Sequence, residues 1–109
     1  CMEVHRTLGF GFLEVIYKDA MELEFIERKI EFTRENEHSV NYKGKILKHK
    51  FFADFTINKN IIVEVKAGKE GLSADATTQT LNYLKVSGFR LGVLINFGKT
   101  RLEYKRLIF

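Results

Sequence analysis

From Phe51 to Ala67 the chain runs Phe-Phe-Ala-Asp-Phe-Thr-Ile, then Asn58-Lys59-Asn60, then Ile-Ile-Val-Glu-Val-Lys-Ala. No other stretch limits the fold as tightly. Ile61, Ile62, Val63 and Val65 form a near-continuous run of β-branched residues, the composition of a strand buried on both faces. Asn and Lys suit the turn before it, because Asn tolerates left-handed backbone angles. The pattern predicts a hairpin of Phe51–Ile57 and Ile61–Ala67 in the interior of a sheet.

This apolar hairpin carries three charges, Asp54, Glu64 and Lys66. A strand repeats every second residue, so Glu64 and Lys66 project from one face and Val63, Val65 and Ala67 from the other. Charged side chains are rarely buried unless paired or bound to a metal. The hairpin brings Asp54 towards Glu64, and two adjacent carboxylates repel unless a cation or a shared proton separates them. Carboxylate oxygens suit Mg²⁺ or Mn²⁺, which keep waters that a phosphate can displace. Lys66 beside such an ion would be a point charge for an attacking water or a scissile phosphate. The plainer reading is a buried salt bridge of Glu64 with Lys66, or one involving Asp54.

Composition narrows the class. The 109 residues are 45% hydrophobic, enough for one domain over 1–109 with a modest core. Eighteen Lys and Arg against fourteen Asp and Glu give a net charge of +4, which permits a polyanionic partner without requiring one. The lone cysteine, Cys1, can form no internal disulfide. No apolar run approaches the ~20 residues of a membrane span, and no signal-peptide pattern opens the chain, so no membrane association and a cytoplasmic location are expected. Cys1-Met2-Glu3 starts as though in mid-helix, so the domain is expected to lack the first turns of its N-terminal helix.

In order, Met2–Leu8 reads as a helix stopped by Gly9. A second helix is expected over Phe12–Lys29, with Leu13, Ile16, Ala20, Leu23 and Ile30 as its buried stripe. Glu14 suits the first turn of that helix, and Tyr17 suits core packing with its hydroxyl at the rim. Ile30–Tyr42 reads as an edge strand and Tyr42-Lys43-Gly44 as a turn. Lys43, Lys45, Lys48, His49 and Lys50 follow as a basic run, either a solvated guard against edge aggregation or a flank that contacts phosphates. Ser73 caps a helix over Ala74–Ser87 closed by Gly88. On it Gln79 and Tyr83 share a face, while Leu81 and Leu84, with Ala74 and Thr77 nearby, turn to the sheet. Leu91–Phe97 is a second buried strand and Arg101–Phe109 a last one. His5, His38 and His49 have no zinc spacing. The order is α-β-β-β-α-β-β, an α/β (α+β) domain with a mixed central sheet flanked by helices, in which a crossover through the Ala74–Ser87 helix joins parallel strands.

Gly11-Phe-Leu-Glu14-Val-Ile-Tyr17 resembles the signature of the GxxExxY proteins, a family placed in the PD-(D/E)XK nuclease superfamily. The likeness extends through Tyr42-Lys-Gly44, Ala53-Asp54, Val63-Glu64-Val-Lys66-Ala67, Gln79-Thr-Leu-Asn-Tyr83-Leu and Leu91-Gly-Val-Leu-Ile-Asn96-Phe97. It implies a restriction-endonuclease-like fold. It also implies a site in which Asp54 and Glu64 hold Mg²⁺ or Mn²⁺, Lys66 is the catalytic lysine and Glu14 an added helix-borne carboxylate. Gln79 and Tyr83 look like the QxxxY element of the RecB-like branch, beside the site. Tyr17, Lys48 and Lys50 complete the expected substrate contacts. The implied partner is nucleic acid, DNA foremost, with a homodimer expected by analogy. Phe10 stands where such proteins usually carry Pro, and Asp75-Ala-Thr replaces a His-containing run. The alternative is a non-catalytic nucleic-acid or protein-binding module on the same fold.

Overall fold

A mixed sheet of five strands forms around the apolar hairpin in the computed structural model, which describes residues 1–109 throughout. The elements are α1 (Met2–Leu8), α2 (Glu14–Glu27), β1 (Phe32–His38), β2 (Asn41–Tyr42), β3 (Lys45–Ile46), β4 (Phe51–Ile57), β5 (Ile61–Lys66), α3 (Ala74–Ser87), β6 (Leu91–Asn96) and β7 (Glu103–Ile108). The main sheet runs β1-β4-β5-β6-β7, and β2 and β3 form a separate two-stranded sheet. The β5–β6 pair is parallel, with Ile61 opposite Leu91 and Lys66 opposite Asn96, and the other neighbours are antiparallel. Strand β5 lies at the centre, which accounts for its double-sided apolar run.

The hairpin closes as its sequence predicts. Ile57 pairs with Ile61 and Phe55 with Val63, while Asn58 (φ 51°) and Lys59 (φ 62°) make the left-handed turn between them. One sheet face carries Phe55, Val63, Val65, Ile95 and Phe97 against Val4, Tyr17 and Met21 of the first two helices. The other carries Phe51, Ala53, Ile62 and Leu107 against Leu84 of α3. Ser73 Oγ accepts from the Ala76 amide at 3.0 Å to cap α3, and Gly88 ends it at φ 80°. In the middle of α3 the fully buried residues are Thr80 and Leu84; Leu81 is half-buried and Ala74 exposed.

Helix α2 is shorter than predicted and buries a different face. Leu13, Ile16 and Leu23 of the expected stripe are exposed, and Tyr17 and Met21, with Phe25 beside them, turn to the sheet. Aromatic partners decide the rotation. Tyr17 stacks on Phe97 with centroids 4.5 Å apart, and Phe25 meets Phe55 edge-on at 5.1 Å. No helix is long and apolar enough to cross a membrane.

Candidate active site

The β4–β5 ladder runs from Ile57–Ile61 to Phe55–Val63 and stops. One more step in the same register brings Asp54 opposite Glu64. There a side chain replaces the backbone partner: Asp54 Oδ2 accepts from the Val65 amide at 2.7 Å. On its other side, β4 pairs with Arg34 and Asn36 of β1 but not with the intervening Glu35, whose backbone is left-handed at φ 56°. Alternation along β4 breaks at this point. Ala53 packs with the α3 face and Phe55 with the α2 face, so the Asp54 carboxylate is wedged between strands that no longer pair.

Two oppositely treated carboxylates result. Asp54 Oδ1 accepts from Lys18 Nζ of α2 at 3.0 Å, and Lys18 also pairs with Glu35. Burial opposes the Lys18 charge, but hydrogen bonds to Glu35 and Asp54 and their negative charges outweigh it and raise its pKa. Glu64 has no such partner. It is 7% exposed, and its Oε1 is buried without any hydrogen bond. Burial, then the Asp54 charge and a hydrogen bond shared with Asp54, push its pKa up to about 8, against smaller opposing effects of an Asp54 backbone hydrogen bond and Lys66. The salt bridge of Glu64 with Lys66 does not form, since Glu64 is in none of the ion pairs of the protein. Tyr83 joins this group from α3. It stacks on Phe51 at 4.2 Å, and burial, then the charges of Glu64 and Asp54, raise its hydroxyl pKa.

Lys66 faces a cleft of about 410 Å³ beyond the C-terminal end of β5. Glu14 of α2 and Gln79 of α3 line the same cleft, so residues from three elements meet there. The loop that follows Lys66 is held by Asn96, completely buried near the end of β6. Asn96 Oδ1 accepts from the amides of Gly68 at 2.9 Å and Gly98 at 3.1 Å, and Nδ2 donates to Gly68 O at 2.9 Å and Glu103 Oε1 at 3.0 Å. Sequence reasoning missed Lys18 and Asn96. One signal existed for each: Lys18 follows Glu14 by one helical turn, and Asn96 is a lone amide between Ile95 and Phe97 in a buried strand.

Tyr17 and Lys50 take other parts than those expected. Tyr17 is wholly buried; its hydroxyl donates to Gly9 O at 2.7 Å and accepts from the Phe12 amide at 3.2 Å. It anchors the loop that leads into Glu14. Replacing Tyr17 by Phe leaves that carbonyl and amide without their partner; the expected cost is about 1–3 kcal/mol in chemical denaturation, with little change in the far-ultraviolet circular dichroism. Lys50 pairs with Glu37 at 2.8 Å, whereas Lys48 is exposed.

No cluster of three or more His, Cys, Asp and Glu side chains is gathered for a metal. The donors at hand are Asp54 and Glu64. An unpartnered buried oxygen beside a second carboxylate is what a hard divalent cation satisfies, so these residues fit Mg²⁺ or Mn²⁺ with waters or substrate oxygens completing the shell.

The family model of the PD-(D/E)XK nuclease superfamily matches residues 1–107, and the chain belongs to that superfamily. The fold is also similar to the crystal structure of a protein named SSO0001, with a TM-score of 0.64 and 24% identity, over 85% of this chain and 48% of that one. The chain thus spans about half the length of that relative, and the likeness concerns the fold. Comparison with curated proteins gives no match.

Proposed function

We propose that residues 1–109 form one nuclease domain of the GxxExxY type that hydrolyses phosphodiester bonds of nucleic acid, DNA foremost, with Mg²⁺ or Mn²⁺. The observation that carries this reading is Glu64 Oε1, buried, unpartnered and next to the Asp54 carboxylate. A structural ion pair would have supplied Glu64 with a lysine; none does so. Asp54 and Glu64 would hold the ion. The bound ion would neutralise charge on the phosphoryl oxygens and acidify a bound water. Lys66, in the cleft two residues from Glu64, holds the attacking water or the scissile phosphate by charge. Glu14 lines the same cleft and would orient the water. Gln79 and Tyr83 flank the path of the strand to be cut. Lys18 fixes Asp54 and Asn96 fixes the loop beyond Lys66; both position other groups.

Titration calorimetry with Mn²⁺ tests the first step. The native protein should bind saturably at or below about 1 mM, with Mg²⁺ competing, and the Asp54→Asn variant should lose that binding while staying folded. Equal heats for native protein and variant would remove the basis of the proposal. Nucleic-acid binding that ignores the metal and survives Lys66→Ala would point to the non-catalytic module instead.

A further inference from the structure

The net charge of this protein has a single address. Residues 41–50 hold Lys43, Lys45, Lys48 and Lys50 and no acidic residue, and the fourteen remaining basic residues are matched by fourteen acidic ones. The whole excess of +4 therefore sits in ten consecutive residues. All ten are exposed.

The segment is nonetheless built. Lys43 (φ 51°) and Gly44 (φ 82°) make the tight left-handed turn that suits a two-residue hairpin. Asn41 Oδ1 accepts from the Gly44 amide at 2.9 Å, and the Leu47 amide donates to Val40 O at 2.9 Å. The β2–β3 hairpin pairs with neither β1 nor β7, the edges of the main sheet. Lys50 is tied to Glu37, but Lys43, Lys45 and Lys48 have no ion-pair partner. Tyr42 is 58% exposed, with Lys43 Nζ 5.5 Å from its ring. An open aromatic ring among unpaired lysines suits a strand that offers both phosphates and bases. The hairpin leads directly into β4, and at about 3.3 Å per residue Lys50 lies roughly 13 Å along the strand from Asp54, a span of a few nucleotides.

We propose that the Asn41–Lys50 hairpin is a nucleic-acid-gripping arm, in which Lys43, Lys45 and Lys48 neutralise backbone phosphates and Tyr42 stacks on an unpaired base outside the cut site. The class of partner rests on the nuclease reading above; the arm itself rests on charge and shape.

The test is fluorescence anisotropy with labelled single-stranded and duplex oligonucleotides in EDTA over a series of salt concentrations. The Lys43→Ala/Lys45→Ala/Lys48→Ala variant should bind about 10–100-fold more weakly at low salt, and the slope of log K against log salt should flatten by about 2. Tyr42→Ala should weaken single-strand binding about 5-fold or more and leave duplex binding nearly unchanged. Lys29→Ala/Lys59→Ala/Lys85→Ala, with the same loss of charge, should change neither slope nor affinity appreciably. Thermal melts should match the native protein, because no residue of the arm is buried. Unchanged affinity and slope in the arm variant overturn the proposal, as does an equal loss in the control, which would mean bulk charge alone. Failure of the native protein to bind either oligonucleotide also overturns it. Mn²⁺ binding separates the two readings. If the arm variant retains native nucleic-acid affinity while the native protein binds Mn²⁺ and cuts, only the arm falls. If the arm grips DNA but Mn²⁺ neither binds nor supports cutting, only the nuclease reading falls.

Discussion

Replacing Lys66 by Ala is expected, on the nuclease reading proposed above, to lower metal-dependent cleavage of nucleic acid by about 10²–10³-fold, the usual loss when one charge-stabilising group is removed from a transition state. Stability should move by less than about 1 kcal/mol. Lys66 is half-exposed at the end of β5, has no ion-pair partner and lines an open cleft, so its removal orphans nothing. Mn²⁺ affinity should hold or rise slightly, since a positive charge leaves the neighbourhood of Glu64. That pattern, with metal bound, fold kept and rate lost, distinguishes a group acting on the phosphate from one that supports the ion. Asp54→Ala makes a poorer probe: the Val65 amide and Lys18 both lose their acceptor, and unfolding would be mixed with lost chemistry. Asp54→Asn keeps the volume and one acceptor oxygen, enough for the Val65 amide or for Lys18 but not for both, and so disturbs the fold less than Ala does. An unchanged cleavage rate in Lys66→Ala would remove the lysine from the mechanism.

Local pattern reached the β-hairpin because its causes are local. A β-branched run, an Asn-bounded turn and the two-residue repeat fix which residues pair, and the register from Ile57–Ile61 onward carries Asp54 to Glu64. The parallel β5–β6 pair followed from a helix-length connection between two apolar runs. The rotation of α2 did not follow. That helix carries two apolar stripes, one through Leu13, Ile16 and Leu23, the other through Tyr17, Met21 and Phe25. Periodicity weighs them alike. What chooses between them is the rings of Phe97 and Phe55, which lie 80 and 30 residues further along from Tyr17 and Phe25.

The same distinction runs through the site. Asp54 and Glu64 are ten residues apart on one hairpin, and their meeting is readable from that hairpin alone. Lys18 reaches Asp54 from 36 residues away, and Asn96 reaches Gly68 from 28. Neither encounter leaves a local trace beyond a polar residue in apolar company. Tyr17 and Lys50 are the complementary case. Both have the chemistry to touch a substrate, but Gly9, Phe12 and Glu37 engage them first. Competition of that kind is decided by packing, where residue type is silent.

Glu64 makes the metal-free protein less stable as pH rises, against the habit of most folded carboxylates. Its pKa stands at about 8 in the fold against an ordinary value of 4.5, so between those limits the folded chain keeps a proton that the unfolded chain releases. The unfolded state then binds fewer protons, and stability falls with pH across that window and levels off above it. At about 1.4 kcal/mol per unit the full loss is on the order of 3–5 kcal/mol. His38 acts in the opposite direction at lower pH: burial lowers its pKa, so acidification through its range destabilises the fold. Glu64→Gln isolates the carboxylate, because it retains the volume and removes the titration. Denaturant unfolding in EDTA should show the native protein losing most of that amount between pH 5 and pH 9, and Glu64→Gln losing little. With Mn²⁺ at ten times its dissociation constant at pH 9 the native protein should regain about 1.4 kcal/mol and the variant should respond much less, since its amide offers no anionic oxygen. Below about pH 8, Mn²⁺ binding should release close to one proton, read from the dependence of the calorimetric heat on the ionisation enthalpy of the buffer. A native stability that is flat over that range would mean that the buried oxygen of Glu64 is satisfied without any cation, and the case for a metal between Asp54 and Glu64 would go with it.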